Sequence, residues 1–181
     1  MKLKFICLAS GSSGNCFYLG TEDYGILIDA GIPVRTIKGA LKDVGIDFDR
    51  IMGVFVTHDH ADHIKSLGTL GEKYNIPIYA TRATHVGINK NYCMTQKLVS
   101  CMRYVEKDEV LNFRDFQITP FEVPHDGSDN VGYCIEHDGK CFCFITDIGH
   151  ITSTVASYIE RANYLILEAN YDEEMLAHGP Y

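Results

Sequence analysis

Seven consecutive residues, Thr57, His58, Asp59, His60, Ala61, Asp62 and His63, place three imidazoles and two carboxylates within reach of one another. That density of nitrogen and oxygen donors points to a metal site. His58 and His60 are two apart, a spacing that turns both rings toward one ion only on extended backbone. On a helix the pair would have to be four apart. Asp62 and His63 serve a neighbouring ion if a helix opens near Ala61. Its macrodipole then favours the ionised carboxylate and the neutral imidazole, the ligand forms of both residues.

The elements that hold these residues are legible in the flanking patterns. Ile51 to Val56 is an apolar run and reads as a buried strand, with the histidine-rich loop at its carboxyl end, where α/β sheets carry chemistry. A helix is expected from Ala61 to about Tyr74, with Ile64, Leu67 and Leu70 inward. Metal sites draw ligands from several elements, and two further strand ends offer them. His125 follows Val123 and Pro124, and Asp147 follows Phe144, Ile145 and Thr146. Taken alone, His125 reads as an ordinary loop histidine. His85, His137, His150 and His178 read as surface or turn histidines.

Elsewhere, strands are expected over Leu3–Leu8, Phe17–Leu19 and Ile26–Asp29 as an antiparallel meander, the first two joined by a turn from Ser10 to Asn15. Pro33 opens a helix with Ile37, Leu41 and Val44 on its apolar stripe, and Gly45 ends it. Ile76–Ala80 and Phe116–Val123 read as strands, while residues 84–104 are ambiguous. Tyr133–Glu136 and Lys140–Thr146 form a hairpin about Asp138 and Gly139. A helix over Thr152–Arg161, a strand over Tyr164–Leu167 and a short helix over Asp172–Ala177 close the chain. Gly11 to Asn15 lacks the lysine and length of a P-loop and reads as a tight strand connection.

The chain has 181 residues, 46% of them hydrophobic, enough for a single domain over 1–181 that buries about two thirds of its unfolded surface. It shows neither an apolar run near eighteen residues nor a basic-then-apolar leader, so no membrane span or signal peptide is expected. Seven cysteines without a CxxC pair suit reduced thiols in a cytoplasmic protein. The formal net charge of −8 argues against a large basic face for nucleic acid. It does not exclude a phosphate ester, because two divalent cations reverse the local field.

The set HxHxDH at 58–63, the distant His125 and the pair Thr146–Asp147 resemble the metallo-β-lactamase superfamily. Ser10-Gly11-Ser12-Ser13-Gly14-Asn15-Cys16, Leu27-Ile28-Asp29-Ala30-Gly31, His125-Asp126 and Leu167-Glu168-Ala169-Asn170-Tyr171-Asp172 narrow the resemblance to its WalJ/YycJ group of nuclease-like members, relatives of RNase Z. The resemblance implies an αββα sandwich of the α/β class. It also implies that His58, His60 and His125 bind one ion, Asp62 and His63 a second, and Asp147 both. The activity implied is phosphodiester hydrolysis, exonucleolytic on DNA. The family's last ligand is a histidine beyond the Asn-Tyr-Asp stretch, whereas this chain stops at Gly179-Pro180-Tyr181. The chain is therefore expected to lack its C-terminal part and to hold the second ion weakly.

An all-histidine and aspartate donor set without thiolate suits zinc, manganese or iron rather than a closed structural zinc site, and so points to catalysis. Coordination lowers the pKa of water from 15.7 to about 7, on the order of 12 kcal/mol at about 1.36 kcal/mol per unit. The expected mechanism is attack of a metal-bridging hydroxide on phosphorus, with Asp62 as the catalytic residue that orients the nucleophile. Competing readings are another hydrolase on this scaffold, such as a thioesterase, glyoxalase or lactamase, and an inactive metal-binding scaffold. A di-iron redox protein is disfavoured, because such relatives usually carry Glu where His60 stands.

Overall fold

A computed structural model of the chain describes residues 3–168, which form two compact units. The first contains the chain up to Glu109 together with Asp126–Asn130. Its six-stranded sheet has the order β1 (Lys4–Ala9), β2 (Cys16–Gly20), β3 (Gly25–Ile28), β4 (Ile51–Phe55), β5 (Ile78–Ala80), β6 (Met102–Tyr104). The opening three strands are the expected antiparallel meander, and β3 to β6 pair in parallel. Strands buried on both faces read as continuous apolar runs, and β3 (GILI) is one.

Helix α1 (Val34–Asp43) buries Ile37 and Leu41 in this unit's core, while Val44 is exposed and stands at the cap. Pro33 sits at the N-cap, and Gly45 follows the helix at φ +73°, the left-handed region that glycine enters without strain. The ambiguous stretch resolves into α3 (Arg82–Lys90) and β6, with the Thr81 hydroxyl capping α3 by accepting from Thr84 N at 3.2 Å.

The helix expected to run to Tyr74 is broken. Ala61–Ile64 (α2) is α-helical, a turn at 65–66 interrupts it before one short helical step at 67–68, and a π-turn covers Thr69–Lys73. Tertiary hydrogen bonds displace the helical ladder. Asp62 O accepts from Asn15 N at 2.7 Å, His63 O from Ala30 N at 2.8 Å, and Ser66 N donates to Ala30 O at 3.0 Å. The apolar periodicity still reports burial correctly, since Ile64, Leu67 and Leu70 are all fully buried.

The second unit contains Val110–His125 and the chain from Val131 on. Its sheet has the order β11 (Tyr164–Leu167), β10 (Lys140–Ile145), β9 (Val131–His137), β8 (Phe116–Glu122), β7 (Leu111–Phe113). The hairpin between β9 and β10 turns on Asp138 (φ +50°) and Gly139 (φ +71°), the paired positive φ of the type I′ turn that Asp-Gly favours. Helix α4 (Ser153–Arg161), capped by the Thr152 hydroxyl, is the crossover that brings β11 parallel to β10. Val155 and Tyr158 of α4 pack with Phe121, Cys134, Cys141 and Cys143, and the Phe121 and Tyr158 rings stack at 4.0 Å.

Two histidines expected at the surface are buried. His85 places Nε2 2.9 Å from Arg103 O, and His137 places Nδ1 3.1 Å from Asp115 O, so both are partnered within the interior. Strand β7 had no sequence signal. The short helix expected over Asp172–Ala177, His178 and the last three residues lie outside the described residues, as does most of the Leu167–Asp172 motif. Among the described residues no helix is long and apolar enough to cross a membrane.

Candidate metal centre

The first unit supplies the dense part of the donor set. Thr57 to His60 leave β4 outside any helix, and His60 is the extended N-cap of α2 at φ −70°, ψ 147°. This is the backbone that the two-residue spacing requires. Ring centroids of His58 and His60 are 4.6 Å apart, and those of His58 and His63 4.1 Å. Asp62 and His63 occupy the first turn of α2, as expected.

A single buried carboxylate orders this group. Asp29 follows β3 at φ +57°, and its N–H donates to Phe55 O at 2.9 Å, so the ends of β3 and β4 are locked side by side. Asp29 Oδ1 accepts from Thr57 N at 2.8 Å, and Oδ2 accepts from the Thr57 hydroxyl at 2.8 Å. The same Oδ2 lies 2.7 Å from His63 Nδ1. With its proton given to Asp29, the Thr57 hydroxyl offers a lone pair to His58 Nδ1, 2.9 Å away. Both imidazoles therefore carry their proton on Nδ1 and their lone pair on Nε2, the arrangement by which an outer carboxylate fixes a metal-ligating tautomer.

Asn15 and Gly31 close the group from behind. Asn15 Nδ2 lies 3.1 Å from His63 Nε2 and 3.4 Å from Asp62 Oδ2, while Gly31 N donates to Asn15 O at 2.8 Å. A Cβ on Gly31 would stand 1.5 Å from Asp62 O, so this position admits no side chain. The Ser10–Asn15 turn thus joins strands and also buttresses the α2 loop. Burial raises the Asp62 carboxyl, but the adjoining His63 and His60 outweigh that and hold it below its ordinary value.

The segment Asp126–Asn130, which the sequence leaves open between substrate contact and solvated loop, is latched to this unit. Asp59 accepts from Ser128 N at 3.0 Å and Ser128 Oγ at 2.5 Å, and His60 Nε2 stands 3.3 Å from Asp126 Oδ1. Thr84 Oγ1 donates to Asp129 O at 2.7 Å, and Lys107 pairs with Asp129 at 2.6 Å.

The second unit carries the other two expected donors after β8 and β10, the strands that flank β9. His125 follows β8 and Pro124, and Asp147 follows β10 at φ +51°, both half-buried. Gly149 N donates to Pro124 O at 2.8 Å, which ties the two donor-bearing segments together.

Residues 24–180 match the family described as the beta-lactamase superfamily domain. The chain belongs to this superfamily. Among curated relatives of this superfamily member, the exodeoxyribonuclease YycJ of Bacillus anthracis is 34% identical over 184 residues, covering 100% of the chain and 68% of the relative. The exodeoxyribonuclease WalJ of Streptococcus pneumoniae (serotype 2, strain D39) is 33% identical, covering 98% of the chain and 66% of the relative. The superfamily chain thus spans about two thirds of the length of the curated relatives it matches. Its fold is that of the metallo-β-lactamases. The subclass B3 enzyme MEM-A1, from a soil metagenome library, superposes with a TM-score of 0.66 over 86% of this chain and 73% of that one, at 12% identity.

For a member of this superfamily, the donor set fits a divalent cation. It is made of imidazole and carboxylate without thiolate, and the hydrogen bonds organised by Asp29 leave the lone pairs of His58 and His63 on Nε2, that of His63 meeting Asn15 Nδ2 at 3.1 Å. Asp29, Thr57 and Asn15 are the functional residues that spacing missed. Asp29 and Asn15 stood in the sequence only as parts of short motifs, and nothing near them in the chain signalled a histidine partner.

Proposed function

We propose that this chain is a metal-dependent phosphodiesterase acting as a DNA exonuclease, with Zn2+ or Mn2+ as cofactor. His58, His60 and His125 hold one ion, Asp62 and His63 a second, and Asp147 both. Within the first unit, the close approach of His58 to His60 and His63, with ring centroids 4.6 and 4.1 Å apart, supports this assignment. The observation that carries it is the Asp29 carboxylate, which engages His63 directly and His58 through Thr57. That buried carboxylate accepts from Thr57 N as well, and its bonds to His63 and the Thr57 hydroxyl set where two imidazoles keep their lone pairs. Relatives named exodeoxyribonucleases, matching the full length of the chain at 33–34% identity, support DNA as substrate. Likeness to lactamases at 12% identity supports the fold without bearing on substrate.

Bound ions would acidify water and neutralise charge on phosphate oxygens. The protein's own part is positional. Asp62, held ionised, orients the attacking nucleophile, and Asp29 holds the His58 and His63 lone pairs on Nε2. Residues 1–181 act as one domain in this reading, and the seven free thiols support a cytoplasmic location.

The test is hydrolysis of 5′- and 3′-end-labelled DNA by the chain with zinc or manganese. Stepwise release of mononucleotides is expected, with loss of at least about a hundredfold in His60→Ala and Asp62→Asn. Full activity in both variants would overturn the reading.

A further inference from the structure

Between Glu72 and Glu106 the chain contains no acidic residue, yet it carries Lys73, Arg82, Lys90, Lys97 and Arg103. In a protein of net charge −8 this is a local reversal of sign. Tyr92 lies near its centre and is 93% exposed, the most exposed of the large hydrophobic side chains. Among the described residues the ring is open to solvent, while the backbone on either side is firmly held. Asn91 Nδ2 donates to Asp59 O at 2.9 Å, which attaches the segment to the histidine-rich loop itself. Cys93 N donates to Asn91 Oδ1 at 3.0 Å, and the Asn89 amide exchanges hydrogen bonds with Leu98 at 2.9 and 2.8 Å. Met94 and Leu98 are buried anchors on its far side. Lys90 and Lys97 are exposed on either side, and burial raises the Cys93 thiol against the opposing charges of Lys65 and Lys97, which marks both ammonium groups as its neighbours.

A rigidly mounted, solvent-facing aromatic ring between lysines, one residue from a contact with a ligand loop, has the make-up of a single-strand platform. Every base offers a π-face to stack, and the flanking cations track the phosphates. We infer that Tyr92 stacks a base of single-stranded nucleic acid while Lys90 and Lys97 hold its backbone beside the His58–His63 loop. This rests on the nuclease reading and names how the substrate is gripped. Carbohydrate or protein partners do not call for an acid-free, lysine-flanked ring, and the salt dependence of binding separates them from a phosphate backbone.

The experiment is fluorescence anisotropy of a labelled single-stranded oligodeoxynucleotide with the full chain in EDTA, which prevents turnover. Tyr92→Ala is expected to weaken binding about tenfold and Tyr92→Phe to stay within about twofold, since stacking needs the ring and not the hydroxyl. The Lys90→Ala/Lys97→Ala pair is expected to reduce the slope of log K against log salt by about 1.4, at about 0.7 per phosphate contact. Unchanged binding in Tyr92→Ala overturns the platform, as does absence of binding by the unsubstituted chain. Metal-dependent hydrolysis of the same oligonucleotide, measured in parallel, does not depend on the Tyr92 ring being a platform and tells whether the nuclease reading falls with it.

Discussion

Asp29 is not itself among the proposed ligands, yet it engages His63 directly and His58 through Thr57. Replacing it with Asn puts an N–H2 group where an oxygen now accepts hydrogen bonds from Thr57 and His63. The His63 tautomer and the Thr57 relay to His58 are then lost together. Asp29→Asn is expected to lower metal affinity by about 10- to 100-fold, read by competition with a chromogenic chelator. Unaltered affinity would remove Asp29 from the site. His58, His60, Asp62 and His63 were legible because their spacing is local, four donors within six positions. Asp29 and Asn15 were not, because they meet His63 from 34 and 48 residues away.

The segment that carries Tyr92 is also held from the π-turn. Glu72 accepts from Val99 N at 2.7 Å, Ser100 N at 3.0 Å, Ser100 Oγ at 2.9 Å and Cys101 N at 3.3 Å. Hydrogen bonds from Val99, Cys101 and Ser100 bring its carboxyl down from 4.5 to about 2. A carboxyl depressed on folding contributes stability above its unfolded pKa and loses it as pH falls through the folded value. The contribution is therefore present above about pH 4.5 and disappears toward pH 2, and Glu72→Gln is expected to abolish that part of the pH dependence. Amide hydrogen exchange at Val99 and Ser100 in native protein reads it, and equal protection in the variant would refute it. The π-turn itself was invisible in the sequence. Apolar spacing reports which side chains are buried, whereas the backbone pattern follows carbonyls that Asn15 and Ala30 draw out of the ladder.

Metal removal acts on the molecule as a whole. An ion bound at 100 times its dissociation constant adds about 2.7 kcal/mol, so chelation is expected to lower the melting temperature by several degrees. Asp29→Asn is expected to shrink that shift, by calorimetry of both proteins with and without EDTA; equal shifts would count against the Asp29 relay. Charge shows the same gap between total and arrangement. A net −8 lowers the expectation of nucleic-acid binding, but the sum hides an acid-free stretch with five cations. By itself the sequence determined the strand-end loop, the local donor spacing, the meander, the Asp-Gly hairpin and the buried faces, because each depends on neighbours a few residues apart. Only the tertiary structure decided the break after Ile64, the interior places of His85 and His137 and the hydrogen bonds of Asp29 that orient His58 and His63. Each of these turns on a hydrogen bond between groups far apart in the chain, and local pattern carries no record of such a bond.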